Sequence, residues 1–288
     1  MGKQTDLHAA IAIGFCGFAV WTTGDACIRF LRDYPPPQIA FLSSLYVLVF
    51  LFCFLPFLGG LRATFQKQKM GLQVLRGLAL GASAVATFYT FTHLEMVTAF
   101  SIIFLTPLVA KIVSVILNKE HITLTSWLIS LTGFAGVLLV LRPGAMPIGV
   151  GEIAALCVPA TFALGYVLSR TIGEENQTPF STLLFMDLSV CVLMLMSTLG
   201  QFVPMSPTDF TLTLYIAFTG AAGTLLVSRA YAAAPSAYIA PLHYTQIIWG
   251  ALWGVLFFGE YPDGWTLAGA AVIIGAGLAL VWQSRKAS

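Results

Sequence analysis

Long apolar stretches, separated by short polar breaks, dominate the pattern of this chain. A bilayer core of roughly 30 Å is crossed by about 20 helical residues. Because lipid offers no partner to a free backbone group, runs of this length are expected to be helices. The pattern predicts an all-α integral membrane protein with ten transmembrane helices, at residues 9–30, 38–58, 72–92, 96–117, 124–141, 149–169, 180–203, 211–233, 237–258 and 264–283.

Proline and glycine mark several of the breaks between these spans. Three prolines at 35–37 separate the first span from the second, and the Arg-Pro-Gly sequence at 142–144 ends the fifth. Proline lacks the amide donor that a helix needs, and glycine tolerates left-handed turns. The boundary at 92–96 has no such residue. Pro107, inside the fourth span, predicts a bend there.

The amino-acid composition is typical of a protein that lies within a lipid bilayer. Hydrophobic residues make up 58% of it and charged residues only 9%, whereas a soluble domain carries about 25% charged residues. The net charge of +2 comes without a dense basic patch, so a nucleic-acid partner is not expected. No cysteine or histidine cluster has metal-ligand spacing, and neither a metal nor another cofactor is expected.

The distribution of lysine and arginine predicts that both termini lie in the cytoplasm. With a cytoplasmic N-terminus, nine of these residues lie inside or at the inner boundary: Lys3, Arg62, Lys67, Lys69, Arg76, Lys119, Arg170, Arg285 and Lys286. Only three lie outside: Arg29, Arg32 and Arg142. The excess on one side satisfies the positive-inside rule.

Two segments of the chain resemble each other, which predicts an internal repeat. "VILNKEHITLTSWLISLTGFAGVLLV" and "VLFFGEYPDGWTLAGAAVIIGAGLALV" each contain a lone glutamate, Glu120 or Glu260, followed by a tryptophan, Trp127 or Trp265. A glycine-containing apolar helix follows in both. The alternative explanation is that apolar helices resemble one another by composition alone.

The position of these segments predicts that the two halves are inverted. Each segment closes a block of five spans, and because five is odd the second block enters the membrane upside down. The expected domains are residues 1–145, with the first five spans, and residues 146–288, with the last five. Inverted halves can open a central cavity to one side of the membrane and then to the other.

The same motifs carry a resemblance to a known family. "LNKEHIT…W…GFAGVLLVLRPG" and "FFGEYPDGWTLAGAAVIIGAGLAL" resemble the EamA repeats of the drug/metabolite transporter superfamily. "GDACIRFL…YPPPQIAF", "LRGLALGASAVATFYTF" and "APLHYTQIIWGALWGVLFFGE" resemble the branch that contains S-adenosylmethionine uptake and riboflavin transporters. The resemblance covers nearly the whole chain and implies metabolite transport across a bacterial inner membrane.

This branch commonly has an aspartate followed by a lysine or arginine in its first helix, and Asp25 and Arg29 match that pattern. Residues four apart share a helix face, which Trp21 joins one turn earlier. We expect Asp25 and Arg29 to form an ion pair at the mouth of a substrate cavity. The alternative is that both charges lie at the membrane interface and reach water.

Three further charged residues lie inside predicted spans. Lys111, where the family usually has an apolar residue, is expected to face the cavity and attract a carboxylate or phosphate, unless it snorkels to the interface. An acid within the membrane is a functional hypothesis by default, and Asp187 is either such a group, the partner of Arg229, or a cap on a neighbouring helix. Arg76 lies near the inner boundary and is expected to snorkel.

The ninth span carries the densest set of candidate binding residues. His243, Gln246 and Trp253 follow helical spacing on one face, and Trp249 flanks them. A carboxamide and aromatic rings suit a flat heterocycle, which they bind by hydrogen bonds and stacking. The alternative is that His243 is a packing residue. Two tyrosines complete the candidate substrate-binding set, and both could instead be interfacial aromatics: Tyr89 and Tyr166.

These features predict a secondary transporter that moves a small amphipathic metabolite by alternating access. The metabolite is expected to resemble S-adenosylmethionine, riboflavin or an amino acid. Coupling is expected through protons, with Asp25, Asp187 or His243 as the group that carries them, or through exchange with a counter-metabolite. The protein is expected to be a monomer or a homodimer.

Two other classes of protein fit the sequence less well than a carrier does. A membrane-embedded lipid-modifying enzyme is disfavoured because the chain contains neither an HExxH nor a GxSxG motif. A receptor without a transport cycle is disfavoured because the loops are too short for a sensing domain. The sequence therefore predicts a protein that is not an enzyme.

Overall fold

The computed structural model describes residues 2–53, 69–119, 121–142, 148–173 and 177–287, and all regular structure within these ranges is helical. The helices are α1 (Gly2–Phe30), α2 (Pro36–Cys53), α3 (Met70–His93), α4 (Met96–Asn118), α5 (Leu124–Leu141), α6 (Val150–Ile172), α7 (Pro179–Gly200), α8 (Pro207–Ala233), α9 (residues 236–258) and α10 (Gly264–Ala287). The ten-helix prediction is confirmed. Residues 54–58 of the second predicted span, Arg62, Lys67, Glu120, Pro143 and Gly144 lie outside the described residues.

The surface of the bundle confirms a membrane protein that crosses the bilayer several times. Seven of the described helices are long and apolar enough to span a membrane, and three further described helices are apolar but shorter. Large apolar side chains point outward from the bundle, among them Ile116, Val192, Met196 and Phe218. Such a surface is unsuited to water and matches a hydrocarbon surrounding.

Helix α4 is divided in two rather than continuous. Its first part is Met96–Ile103 and its second is Thr106–Asn118, with Phe104 and Leu105 forming the turn between them. Pro107 lies in the first turn of the second part, where a missing amide donor costs least. The bend expected from this proline is therefore present.

Helix α9 departs further from the regular helix that the sequence pattern predicts. It begins as Ser236–Ile239, continues as a 3₁₀ turn over Ala240–Tyr244, becomes α-helical at Thr245–Trp253 and ends as a π-helix at Gly254–Phe258. A proline at the start of the 3₁₀ segment removes one backbone donor. The number of residues per turn thus changes three times along α9.

The two halves pack through reciprocal helix pairs. Helix α1 lies along α8 while α3 lies along α6, and α2 and α5 contact their own counterparts, α7 and α10. The first helix of each half thus packs against the third helix of the other half. Two inverted five-helix repeats produce this arrangement, and it confirms the predicted fold class. Helices α5 and α10 approach so closely that a Cβ on Gly136 would lie 2.8 Å from the carbonyl oxygen of Gly269.

Hydrogen bonds join the two halves at the end of the bundle where α1 ends, which we call the distal face. The Gln38 side chain donates to the carbonyl oxygen of Val203 at 2.7 Å and accepts from its backbone N–H at 2.8 Å. Arg142 pairs with Asp263 at 2.6 Å. Hydrogen bonds from Thr266 and the nearby Arg142 guanidinium hold the pKa of Asp263 below its ordinary value. We call the opposite end the proximal face.

Candidate substrate-binding site

A cavity lies in the interior of the bundle, between the two halves. Residues of α1 to α4 in the first half and of α6 to α9 in the second half line it. The cavity volume open to the centres of water molecules is about 130 Å³. This volume is roughly ten times the volume that one buried water molecule requires. Six residues predicted from the sequence are among those that line it: Trp21, Asp25, Tyr166, Asp187, His243 and Gln246.

One wall of the cavity is aromatic. The Trp21 ring lies 5.7 Å from Phe162 and 5.8 Å from Tyr166, measured between centroids, and Phe162 and Tyr166 are 4.4 Å apart. The indole N–H of Trp21 donates to the carbonyl oxygen of Gly220 at 3.1 Å, which fixes the ring on α8. We call Trp21, Phe162 and Tyr166 the aromatic wall. Edge-to-face rings of this kind offer a surface for a flat ligand.

His243 lies in the 3₁₀ segment of α9 and is packed between rings. Its imidazole centroid is 4.2 Å from Phe18 and 4.4 Å from Phe162, and the residue is only 2% exposed. The Gln246 side chain interacts with the imidazole, but neither ring nitrogen of His243 nor the Oε1 atom of Gln246 forms a well-aligned hydrogen bond. Buried polar atoms that are incompletely bonded are costly, so both groups retain capacity to bind a ligand.

Two carboxyl groups face the cavity, one from each half. Asp187 on α7 is 2% exposed; Ser44 interacts with its carboxyl, but Oδ2 has no hydrogen-bond partner. Asp25 on α1 is half-buried and lines the same cavity. Within the part of the chain that the structure describes, neither acid forms an ion pair. Arg229 is exposed, so the alternative in which it pairs with Asp187 is wrong.

Arg29 does not pair with Asp25, and the expected ion pair at the cavity mouth is wrong. Its guanidinium binds Oε1 of Glu260 at 3.0 Å, and the other carboxylate oxygen of Glu260 accepts from the backbone N–H of Met96 at 2.9 Å. Gly259, at φ 64°, forms the left-handed turn that ends α9 and directs Glu260 back toward α1. We call Arg29, Glu260 and Met96 the distal latch.

Lys111 also lies outside the cavity, contrary to its predicted role. It is 1% exposed, and its Nζ donates to the carbonyl oxygen of Ser126 at 2.9 Å and to the hydroxyls of Ser126 and Ser130 at 2.7 and 2.6 Å. These three acceptors on α5 satisfy all three ammonium donors. Lys111 therefore joins α4 to α5.

Replacing Lys111 by alanine is expected to lower stability without changing substrate affinity. The variant leaves the hydroxyls of the buried Ser130 and the half-buried Ser126 short of a partner, which costs about 1–3 kcal/mol. Thermal unfolding in detergent measures the loss, and Arg32→Ala, which removes an exposed cation, serves as the control. If the variant kept its stability but lost substrate affinity, Lys111 would belong to the binding site after all.

The remaining sequence candidates lie away from the cavity. Tyr89 stacks on His93 with centroids 6.2 Å apart, and Trp253 stacks on Phe257 at 5.4 Å. Trp249 is half-buried, and it is not among the described residues that line the cavity. The predicted substrate-binding role of these three side chains is therefore not supported by their positions.

Arg76 is fully buried rather than snorkelling toward water. Its guanidinium donates to the Gln177 carboxamide oxygen at 2.6 Å and to the Thr182 hydroxyl at 3.2 Å. These bonds join α3 to the start of α7 near the proximal face. Sequence reasoning missed this role because the partners lie in the other half of the chain.

Comparison with known proteins divides the chain into the same two halves. The model of the EamA-like transporter family matches residues 8–142 and again residues 149–282. The chain therefore belongs to the EamA-like transporter family, and it is a transporter rather than an enzyme. The resemblance inferred from the sequence motifs is confirmed.

Several curated relatives are similar over most of their length. An S-adenosylmethionine uptake transporter of Rickettsia bellii is 24% identical over 253 residues, covering 87% of this chain and 85% of the relative. A pseudopaline exporter of Pseudomonas aeruginosa is 24% identical over 216 residues, with 74% and 76% covered. A crystal structure matches 98% of this chain and 99% of its own with a TM-score of 0.71 at 18% identity, a likeness that concerns the fold alone.

Proposed function

We propose that the protein is a secondary carrier that binds a small amphipathic metabolite in the central cavity and releases it on the other side by alternating access. The observation that carries this proposal is the cavity itself, since both halves line it and it combines an aromatic wall with polar groups that lack partners. A site between inverted halves can open to either side when one half rocks against the other.

An S-adenosylmethionine-like molecule is the first substrate to test. The relative from Rickettsia bellii is named as an uptake transporter for that compound, and the aromatic wall offers a surface on which an adenine ring can stack. Riboflavin-like and amino-acid-like molecules are the second and third candidates. The relative from Pseudomonas aeruginosa is named as an exporter, so the assay must follow flux in both directions.

The distal latch is proposed to close one side of the transport path. It joins the end of α1 in the first half to the turn after α9 in the second, and it caps the start of α4.

We further propose a bacterial inner membrane as the location, with residues 1–145 and 146–288 as the two domains and both termini in the cytoplasm. The excess of lysine and arginine on one side supports this orientation. The distal face would then be periplasmic. Coupling is proposed through protons carried by Asp25, Asp187 or His243, or through exchange with a second metabolite.

Flux through reconstituted protein tests the proposal. Proteoliposomes are expected to accumulate radiolabelled S-adenosylmethionine saturably, whereas protein-free liposomes are not. A pH gradient stimulates flux if protons are coupled, and unlabelled substrate loaded inside stimulates it if exchange occurs. Lack of flux in both directions, across a panel that includes riboflavin and amino acids, would contradict a carrier function for a correctly folded sample.

A further inference from the structure

The charged groups of the central cavity are all acidic. Asp25 comes from the first half and Asp187 from the second, and none of the described residues that line the cavity is a lysine or an arginine. His243 is the one lining residue in that part of the chain that could supply a positive charge, and it is packed between the rings of Phe18 and Phe162. A pair of acids without a basic partner is unusual in a membrane interior.

The buried cations of the bundle are engaged elsewhere. Arg29 binds Glu260 in the distal latch, Arg76 binds Gln177 at the proximal end of α3, and Lys111 binds the hydroxyls of α5. None of these three side chains lines the cavity. Within the described residues, the protein therefore supplies no cation to neutralise Asp25 or Asp187, and an ionised carboxylate inside the membrane requires either a proton or a positively charged ligand.

The neighbouring aromatic wall suits the same kind of ligand. Trp21 belongs to this wall and lies one turn before Asp25 on the same face of α1. Aromatic faces attract positive charge through their quadrupole, most strongly at tryptophan. The cavity thus combines two carboxyl groups with a ring surface that attracts positive charge and binds flat molecules.

We propose that the cavity selects organic cations, binding a metabolite with a fixed positive charge and a flat ring in preference to a neutral molecule of the same shape. The charge of the ligand lies between Asp25 and Asp187, and its ring lies on the aromatic wall. The two acids are contributed by opposite halves, so a bound cation joins the halves across the cavity. This inference rests on the proposed carrier function and assigns its substrate class.

Two pairs of molecules that differ chiefly in charge test the selection. S-adenosylmethionine carries a sulfonium that S-adenosylhomocysteine lacks, and 1-methyl-4-phenylpyridinium carries a fixed charge that 4-phenylpyridine lacks at pH 7.5. Binding to the purified full-length protein, measured by calorimetry, is expected to be at least tenfold tighter for the cation of at least one pair. Equal affinity within both pairs, or no binding of any of the four, would overturn the proposal.

Variants of the acids localise the selection to the cavity. Asp25→Asn and Asp187→Asn are each expected to reduce the preference for the cation to less than threefold, and Asp25→Glu is expected to retain it. Asp33→Asn, which removes an exposed carboxyl group that does not line the cavity, is the matched control and should keep the full preference. Circular dichroism and gel filtration identify variants that fail to fold. A preference that survives in both folded asparagine variants would overturn the proposal.

Flux measurements separate this inference from the proposed function. If reconstituted protein transports neutral and cationic metabolites equally well, the carrier function stands and the charge selection is wrong. If cations bind with the predicted preference but no labelled cation crosses the membrane, the charge selection stands and the carrier function is wrong.

Discussion

Glu260→Ala is expected to destabilise the protein by about 3–5 kcal/mol and to remove nearly all transport. The variant leaves the buried guanidinium of Arg29 without its carboxylate and the backbone N–H of Met96 without its acceptor. The Arg29 and Glu260 side chains are only 10% and 9% exposed, so water cannot replace the lost partner fully. Thermal unfolding and uptake into proteoliposomes measure the two effects.

Two comparisons show whether the loss arises from the distal latch. Arg142→Ala breaks an ion pair on the same face whose side chains are 34% and 47% exposed, and such surface pairs contribute at most about 1 kcal/mol. Exchanging the two charges, in the double variant Arg29→Glu with Glu260→Arg, should recover part of the lost transport. Wild-type stability in Glu260→Ala would mean that the latch does not hold the halves together.

Gly250→Val is expected to reduce transport at least tenfold. Gly250 lies on α9 where it crosses α4, and any Cβ at this position would overlap the ring of Phe100. Overpacking of a buried contact costs about 1–3 kcal/mol. Here it would also push apart the two interrupted helices that line the cavity. Uptake assays and thermal unfolding measure the consequence.

A second glycine and a compensating change serve as controls for this contact. Gly275→Ala adds a methyl group to α10 where no atom of another helix lies within 4 Å, and it should leave transport unchanged. Phe100→Ala combined with Gly250→Ala should be more active than Gly250→Val, because the smaller side chain makes room. Normal transport in Gly250→Val would contradict this prediction, because it would show that transport does not require close contact between α4 and α9.

The number and type of helices follow directly from the sequence, because each span needs about 20 apolar residues and lipid admits no other backbone arrangement for them. The interior of α9 could not be predicted in the same way. His243 and Gln246 line the cavity, but Trp253 does not, since the helix changes from 3₁₀ to α and then to π geometry. A constant period of 3.6 residues assigns faces correctly only within one type of helix.

Partners distant in the chain account for the other errors. The sequence predicts that Arg29 pairs with the acid four residues before it, whereas its partner in the structure is 231 residues away in the second half. Phe162 and Ser44 belong to the site but were not predicted, because a phenylalanine and a serine inside apolar helices carry no signal of their own. Only the packing of one half against the other reveals their role.

Access to the cavity from each side of the membrane tests the central claim most directly. In a variant whose five cysteines are replaced by alanine, a single cysteine at Ser44 is treated with a membrane-impermeant thiol reagent. The reagent is applied from either face, with or without S-adenosylmethionine. A cysteine at Arg32, which is exposed in the turn after α1 at the distal face, is the control. We predict that the cysteine at Ser44 is labelled from both faces, because the cavity opens to each side in turn. Substrate is expected to protect this cysteine and not the control cysteine. Labelling from one face under every condition, unaffected by substrate, would contradict a cavity that opens alternately between inverted repeats.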